Sequence, residues 1–180
     1  MIEEILQFNQ EFVRNKGYEN YITNKYPNKK TAIISCMDTR LTELLPAALG
    51  MKNGDAKIIK NAGGVISHPF GSVMRSLLIG IYELGVDEIL VIGHTDCGAR
   101  CTDSHSMIQK MKARGVTQKN IDLIKYYGID FDSWLGGFFD LDLSIRRSVE
   151  LIRNHPLVPE EIKVYGLVID SVTGALSQVV

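Results

Sequence analysis

The stretch Thr31-Ala32-Ile33-Ile34-Ser35-Cys36 indicates the fold class of this chain of 180 residues. It is a short, largely apolar run, which is typical of a β-strand that is buried on both faces. Three further runs of this kind occur at residues 56–60, 88–93 and 162–169. Strands buried on both faces occur in α/β proteins, where helices cover the sheet.

The segments between these strands predict how the sheet is connected. Helical periodicity is present at residues 41–49, 69–85 and 141–153, so that strands alternate with helices. Residues 175–180 follow a turn and have the pattern of a short returning strand. We therefore expect a single α/β domain over residues 1–180. Its mostly parallel sheet has about four strands plus a short antiparallel edge strand, with helices on both faces.

Residues 99–135 give a weaker signal than the rest of the chain. Helical patches occur near residues 107–112 and 121–127, and glycines separate them. The pattern predicts helical content in this region without indicating how the helices are arranged.

The N-terminal segment, residues 1–15, predicts an amphipathic helix. Its apolar positions are Ile2, Ile5, Leu6, Phe12 and Val13. A helix at the end of a chain has few neighbours of its own, so its apolar face needs another surface. We expect this helix to pack on a partner subunit, in a homodimer or a larger homo-oligomer.

Composition argues against several classes of protein. The formal net charge is −1 and the charges are scattered, so no nucleic-acid-binding surface is indicated. The N-terminus lacks the pattern of a secretory signal, and no apolar stretch reaches the roughly 20 residues of a membrane helix. We expect a soluble cytoplasmic protein that binds neither nucleic acid nor membranes. The three cysteines are too few, and odd in number, for a disulfide framework.

Reactive side chains follow two of the predicted strands. Cys36 ends the first strand, and His94 and Cys97 follow the third. Because ligands of open α/β sheets gather beyond the carboxyl ends of the strands, these side chains meet if their strands are neighbours. Thiolate and imidazole suit Zn²⁺, and three protein ligands leave the fourth position to water, as in catalytic zinc sites. The sequence therefore predicts a catalytic zinc site.

Asp38 and Arg40 lie beside the first predicted metal ligand. An arginine can hold a carboxylate through two parallel hydrogen bonds, which keeps the carboxylate ionised. Zinc lowers the pKa of a bound water molecule toward neutrality, and Asp38 can accept a hydrogen bond from that water and direct its oxygen at a substrate. We predict that Asp38 and Arg40 form a catalytic pair, with a plain salt bridge as the alternative.

Three motifs together resemble those of the β-class carbonic anhydrases, most closely the small prokaryotic members. They are Ser-Cys-Met-Asp-Thr-Arg-Leu at 35–41, Lys-Asn-Ala-Gly-Gly at 60–64 and Gly-His-Thr-Asp-Cys-Gly at 93–98. The resemblance spans nearly the whole chain. It implies a dimeric or larger enzyme that hydrates carbon dioxide reversibly to bicarbonate at a zinc ion held by Cys36, His94 and Cys97. It also implies the Asp38–Arg40 pair, and some members have a closed state in which the aspartate binds zinc.

Further residues have more than one interpretation. Backbone N–H groups around Gly63 and Gly64 can bind the substrate, although the two glycines can equally form a simple turn. His68 is the histidine nearest to this glycine loop, which makes it a candidate proton shuttle. Asp96 either contacts the metal or substrate or stabilises a turn. Cys101 is a possible fourth zinc ligand, which would make the site structural.

Other functions account less well for the same residues. A phosphatase or sulfurtransferase would use Cys36 as nucleophile and Arg40 to bind an anion, but only three residues separate them, fewer than in a tyrosine-phosphatase loop. A dinucleotide-binding enzyme is not indicated, because no Gly-x-Gly-x-x-Gly follows a strand. Two alternatives remain open. One is a non-catalytic zinc-binding sensor, and the other is a carbon disulfide hydrolase, which belongs to a related group with the same fold and zinc site.

Overall fold

The computed structural model describes residues 1–180 and contains one five-stranded sheet. The strands are β1 (Thr31–Cys36), β2 (Ala56–Asn61), β3 (Glu88–His94), β4 (Lys163–Ile169) and β5 (Leu176–Gln178). Their order across the sheet is β2-β1-β3-β4-β5. The first four strands are parallel to one another, and β5 is antiparallel to β4. The predicted α/β class, with its short antiparallel edge strand, is confirmed.

The chain also contains seven α-helices. They are α1 (Ile2–Arg14), α2 (Leu41–Ala48), α3 (Ser72–Leu84), α4 (Ser104–Ala113), α5 (Gln118–Tyr126), α6 (Phe131–Leu135) and α7 (Leu141–Arg153). Short 3₁₀ turns occur at Gly17–Tyr21 and Ala62–Gly64. No helix combines the length and the apolar composition that crossing a membrane requires.

Helix α3 begins at Ser72, later than the predicted start at Pro69. A tight turn precedes it, in which the N–H of Gly71 donates to the C=O of His68 over 3.1 Å. Gly71 is extended and serves as the residue before the helix. The predicted start was wrong because proline favours the first helical turn but is equally suited to the turn that leads into it.

Helices cover both faces of the sheet, as predicted. On one face, Ile34 and Val91 of the central strands are fully buried against Leu77 of α3 and Val149 of α7. On the other face, Ile33 and Ile92 are fully buried with Leu41 and Leu45 of α2 and with Ile169 of β4. Burying a side chain of this size stabilises the fold by about 1.5–3 kcal/mol. The two apolar layers fix the position of the strand ends that carry the reactive side chains.

The pairing of β1 with β3 brings the two predicted halves of the metal site together. Their parallel register aligns Thr31 with Glu88 and Ser35 with Ile92. Cys36 therefore leaves β1 at the same edge of the sheet at which His94 ends β3. No sequence pattern specifies the order of the strands, yet the predicted site requires that β1 and β3 be neighbours.

Candidate metal centre

Cys36, His94 and Cys97 form one buried cluster at the carboxyl edge of the sheet. The Sγ atoms of the two cysteines lie 3.7 Å apart, and all three candidate ligand atoms lie within 4.8 Å of one another. Asp96, which directly precedes Cys97, has a positive φ of 53°. Aspartate tolerates this left-handed conformation better than most residues. The structure thus brings together the three residues that the sequence predicted as ligands.

The imidazole of His94 has one nitrogen free to bind a ligand. Its Nδ1 lies 2.8 Å from the C=O of Thr95. Because a carbonyl can only accept, Nδ1 carries the proton and Nε2 carries a lone pair. Nε2 is buried and has no hydrogen-bond partner. Buried polar atoms without partners are rare in native proteins, so this atom points to a bound group, and a metal ion fits its chemistry.

The environment of Cys97 is suited to a sulfur that binds a cation. Burial raises the pKa of the Cys97 thiol, and nearby Cys36 raises it further, while the backbone N–H groups of Ala99 and Arg100 act in the opposite direction. The two sulfurs are too far apart for a disulfide bond, whose length is about 2.05 Å, and both cysteines are free. Two adjacent buried thiolates would repel each other, so a cation between them would relieve the cost of ionising both.

Arg40 holds the carboxylate of Asp38 in a fixed position beside the cluster. Its Nε and Nη2 donate to Oδ1 and Oδ2 of Asp38 over 3.0 and 2.8 Å, and its backbone N–H adds a third bond of 2.9 Å. These hydrogen bonds hold the pKa of Asp38 far below its usual range. Asp38 Oδ2 also lies 3.9 Å from Nε2 of His94. An ionised acceptor therefore stands next to the ligand atoms.

The same guanidinium also binds Asp96. Arg40 Nη1 donates to Asp96 Oδ2 over 2.9 Å, and Nη2 donates to the backbone C=O of Asp96 over 2.8 Å. Hydrogen bonds to Asp38 and then to Asp96 raise the pKa of Arg40, so the group stays charged. Arg40 thus ties the segment after β1 to the turn after β3. Of the two interpretations of Asp96, this contact favours stabilisation of the turn.

An open cleft of about 890 Å³ leads to the cluster. Cys36, Asp38 and Arg40 line the part of the cleft beside the cluster. Its apolar walls come from three parts of the chain: Met37 after β1, Val65 and Ala99 in loops, and Met107, Trp134 and Phe138 from the region 104–138. The cleft therefore combines one polar, charged end with largely apolar sides.

The two glycines predicted to bind substrate occupy different positions. Both glycines are buried, but only Gly63 lines the cleft. A Cβ atom on Gly64 would lie 2.9 Å from the backbone N of Cys36. Gly64 thus allows the loop to approach the strand that carries the first cysteine. Substrate binding by Gly63 and Gly64 stays a prediction.

The predicted proton shuttle, His68, lies outside the cleft wall. It is exposed, and its Nδ1 accepts a hydrogen bond of 3.0 Å from the N–H of Phe70. Its role as a shuttle stays a prediction. Cys101 is exposed and does not belong to the three-residue cluster, so the structure does not bring a third sulfur to the site.

Replacing Gly64 with alanine is expected to destabilise the protein more than replacing Gly50 with alanine. Both glycines have nearly the same left-handed φ, +65° and +61°, but nothing lies within 4 Å of the Cβ position on Gly50. Both variants therefore carry a similar backbone cost of about 1–2 kcal/mol. Gly64→Ala adds steric overlap, for which we expect about 1–3 kcal/mol more. Urea unfolding of both variants measures this difference, and equal stabilities would contradict the close approach.

Comparison with known proteins gives one consistent family. A family model described as carbonic anhydrase matches residues 31–176. The chain is 52% identical over 180 residues to the Bacillus subtilis protein YtiB, whose name assigns it provisionally to the carbonic anhydrases; the match covers 100% of this chain and 96% of that protein. It is also 31% identical over 157 residues to a carbon disulfide hydrolase of Acidithiobacillus thiooxidans, covering 83% of this chain and 76% of that protein.

A solved structure supports the same relationship. The crystal structure of β-carbonic anhydrase isoform I of Trichomonas vaginalis superposes on the chain with a TM-score of 0.91 and 35% sequence identity. The match covers 100% of this chain and 97% of that one. Nearly the whole fold is therefore shared with that protein, including both halves of the sheet edge at which the cluster lies.

Proposed function

The chain belongs to the β-carbonic anhydrase family, and we propose that it hydrates carbon dioxide reversibly to bicarbonate at a Zn²⁺ ion bound by Cys36, His94 and Cys97. The observation that carries this proposal is the buried Nε2 atom of His94. It has no hydrogen-bond partner, and the candidate ligand atoms of His94, Cys36 and Cys97 lie within 4.8 Å of one another. These three donors match the ligands that zinc prefers.

The spacing of the donors supports zinc in particular. Two sulfurs at about 2.3 Å from a tetrahedral zinc ion lie about 3.8 Å apart. The sulfurs of Cys36 and Cys97 are separated by 3.7 Å. Two thiolates and a neutral imidazole balance the charge of the ion and leave one position of the tetrahedron open. An open position distinguishes catalytic from structural zinc sites.

The residues around the donors have different roles in the hydration of carbon dioxide. When bound, zinc would supply Lewis acidity, which lowers the pKa of water so that hydroxide, the nucleophile that attacks carbon dioxide, is available near neutral pH. Asp38 is ionised and can only accept a hydrogen bond, so it fixes the orientation of the attacking water. Arg40 keeps Asp38 in that position through its two side-chain hydrogen bonds. The apolar cleft wall suits carbon dioxide, which is small and carries no net charge.

The proposal is tested by measuring zinc content and carbon dioxide hydration on the same preparation across pH. We expect about one zinc per chain and hydration that rises with pH and disappears when the metal is chelated. Stoichiometric zinc without hydration would favour a non-catalytic sensor. A preparation without zinc that remains folded would favour chemistry at the cysteines themselves.

A second candidate is hydrolysis of carbon disulfide at the same site. The observation in its favour is the 31% identity to a carbon disulfide hydrolase, across most of both chains. The higher identity of 52% to a protein named for carbonic anhydrase favours carbon dioxide as the substrate. Assaying both substrates with the zinc-loaded protein decides between them.

We also propose that the protein is a homodimer or a larger homo-oligomer and that α1 packs on the partner subunit. Helix α1 buries none of its residues within the chain. Its exposed apolar side chains are Ile2, Ile5, Leu6, Phe8 and Val13. An apolar surface of this kind on a terminal helix is unfavourable in water and is typical of an interface.

Deleting residues 1–15 is expected to weaken the oligomer, which light scattering at several protein concentrations measures. A matched pair of substitutions separates the apolar face from the rest of the helix. Leu6→Asp places a charge on the apolar face and is expected to shift the mass toward the monomer, because a buried charge is costly. Gln7→Asp adds the same charge on the polar face and leaves the mass unchanged. An unaltered mass in both the deletion and Leu6→Asp would refute the proposal.

A further inference from the structure

We propose that Phe138 limits the size of the molecule that reaches the metal centre, and that it thereby favours carbon dioxide over larger linear analogues such as carbon disulfide. The inference rests on the proposed function, because it concerns selection among substrates at that site. Phe138 was not singled out as a functional residue by its sequence. Three helices, α4, α5 and α6, separate it from Cys97, the candidate ligand nearest to it in the sequence.

Hydrogen bonds hold the backbone of Phe138 against the segment that follows Cys97. The N–H of Cys101 donates to the C=O of Phe138 over 3.1 Å, and the N–H of Gly137 donates to the C=O of Thr102 over 2.9 Å. The first bond belongs to an isolated parallel bridge between Arg100 and Phe138, and the second joins the neighbouring residues of the same two segments. The position of the phenyl ring is therefore tied to the loop that carries a candidate zinc ligand.

Glycine at position 137 allows this contact. A Cβ atom there would lie 2.1 Å from the C=O oxygen of Ala99 and 2.6 Å from the backbone N of Thr102. Real Cβ atoms do not approach backbone atoms so closely, so a side chain would force the two segments apart. The close approach leaves the neighbouring Phe138 little freedom to move away from the cleft.

The ring of Phe138 closes the apolar side of the cleft near the cluster. Its Cε1 lies 3.1 Å from where a Cβ atom of Gly63 would be, and the Cβ of Ala99 lies 3.2 Å from the same point. Phe138 also packs against the apolar group that contains Cys36 and Cys97. The ring lines the cleft and is half-buried. A rigid aromatic wall thus borders the space next to the candidate ligands.

A rigid wall beside the site favours smaller substrates over larger ones of the same shape. Carbon dioxide and carbon disulfide have the same linear shape, but sulfur is larger than oxygen and forms longer bonds to carbon. A difference of about one small group in an apolar pocket changes selectivity by roughly 10- to 200-fold. Hydrolysis of carbon disulfide needs only water, since one CS₂ and two H₂O give one CO₂ and two H₂S, with no oxidant or reductant. The same site can therefore process both molecules if space permits.

The test compares Phe138→Ala with Phe138→Leu and with the control Phe139→Ala. Phe139 is adjacent in sequence, but its side chain is 79% exposed and does not line the cleft. One readout is the ratio of kcat/KM for carbon disulfide to that for carbon dioxide. The other readout is independent of turnover: the calorimetric Kd of zinc-loaded protein for thiocyanate relative to cyanate, two linear anions that differ in a sulfur or an oxygen end.

For Phe138→Ala we expect the carbon disulfide to carbon dioxide ratio to rise at least about tenfold, with thiocyanate binding tightened relative to cyanate. Phe138→Leu should give an intermediate change, and Phe139→Ala should keep the wild-type ratios. A merely loosened fold would lower both activities together, and unchanged ratios would overturn the inference. If the wild-type protein hydrated no carbon dioxide, the proposed function would fail, while the anion ratio would still decide the role of Phe138.

Discussion

Replacing Cys36 with alanine is expected to abolish zinc binding and carbon dioxide hydration together. The remaining donors are His94, at the end of β3, and Cys97, just after it, and two ligands hold zinc much less tightly than three. We expect zinc content after gel filtration to fall from about one per chain to a small fraction, and kcat/KM to fall by at least about 1,000-fold, as for loss of a catalytic metal. Atomic absorption and stopped-flow hydration measure the two effects.

Cys101→Ala is the matched control for this experiment. Cys101 is exposed and lies outside the cluster, so its loss should leave zinc content and turnover unchanged. Each variant removes one cysteine sulfur atom, so the two differ only in the position of that atom. Full activity and full zinc content in Cys36→Ala would overturn the ligand assignment, and loss of zinc in Cys101→Ala would show that the site is closed by a third sulfur.

Replacing Asp38 with asparagine is expected to preserve zinc binding and to remove most of the turnover. Asparagine has nearly the same shape, but it carries no charge and offers an N–H₂ group where the carboxylate offers only acceptors. The variant loses the acceptor that orients the attacking water, together with the charge that pairs with Arg40. We expect kcat to fall about 100-fold or more, a magnitude typical of losing one positioned catalytic group.

The control for Asp38→Asn is Asp87→Asn. Asp87 also pairs with a basic side chain, since its Oδ2 lies 2.9 Å from Nζ of Lys30, but this pair is exposed and lies at the opposite end of the sheet. An exposed ion pair contributes little to stability, so the control should keep normal turnover. Hydration at the wild-type rate in Asp38→Asn, with zinc present, would show that Asp38 and Arg40 form only a salt bridge.

The sheet and the cluster could be predicted from local sequence because each signal lies within a short segment. The apolar run that ends in Cys36 indicates a buried strand, and the reactive residues follow directly at its end. His94 and Cys97 stand in the same relation to β3. Parallel strands end at one edge of a sheet, so the two segments need only be neighbours, and the observed order places β1 beside β3.

The cleft wall could not be predicted because its residues are brought together by long-range backbone contacts. Residues 99–135 fold into three short helices, and the sequence pattern indicates only that they are helical. The position of Phe138 depends on hydrogen bonds to the segment 100–102, and nothing in the local pattern specifies that pairing. The paired glycines Gly136 and Gly137, which directly precede Phe138, were the available signal.

The second role of Arg40 was also missed. Sequence spacing suggests a bond from Arg40 to Asp38, two residues away, but it cannot show that the same guanidinium reaches Asp96 after β3. That contact depends on the left-handed turn at Asp96, which periodicity does not encode. One arginine thus joins the two segments that supply the candidate ligands.

X-ray absorption at the zinc edge of the purified, zinc-loaded protein tests the ligand set most directly. The account predicts two sulfur neighbours at about 2.3 Å and two nitrogen or oxygen neighbours at about 2.0–2.2 Å, one of which is the imidazole of His94. The sulfur count should fall to one in Cys97→Ala if any zinc is retained. A spectrum with no sulfur neighbours, or with three or four, would contradict a zinc ion shared by Cys36, His94 and Cys97 with one position open.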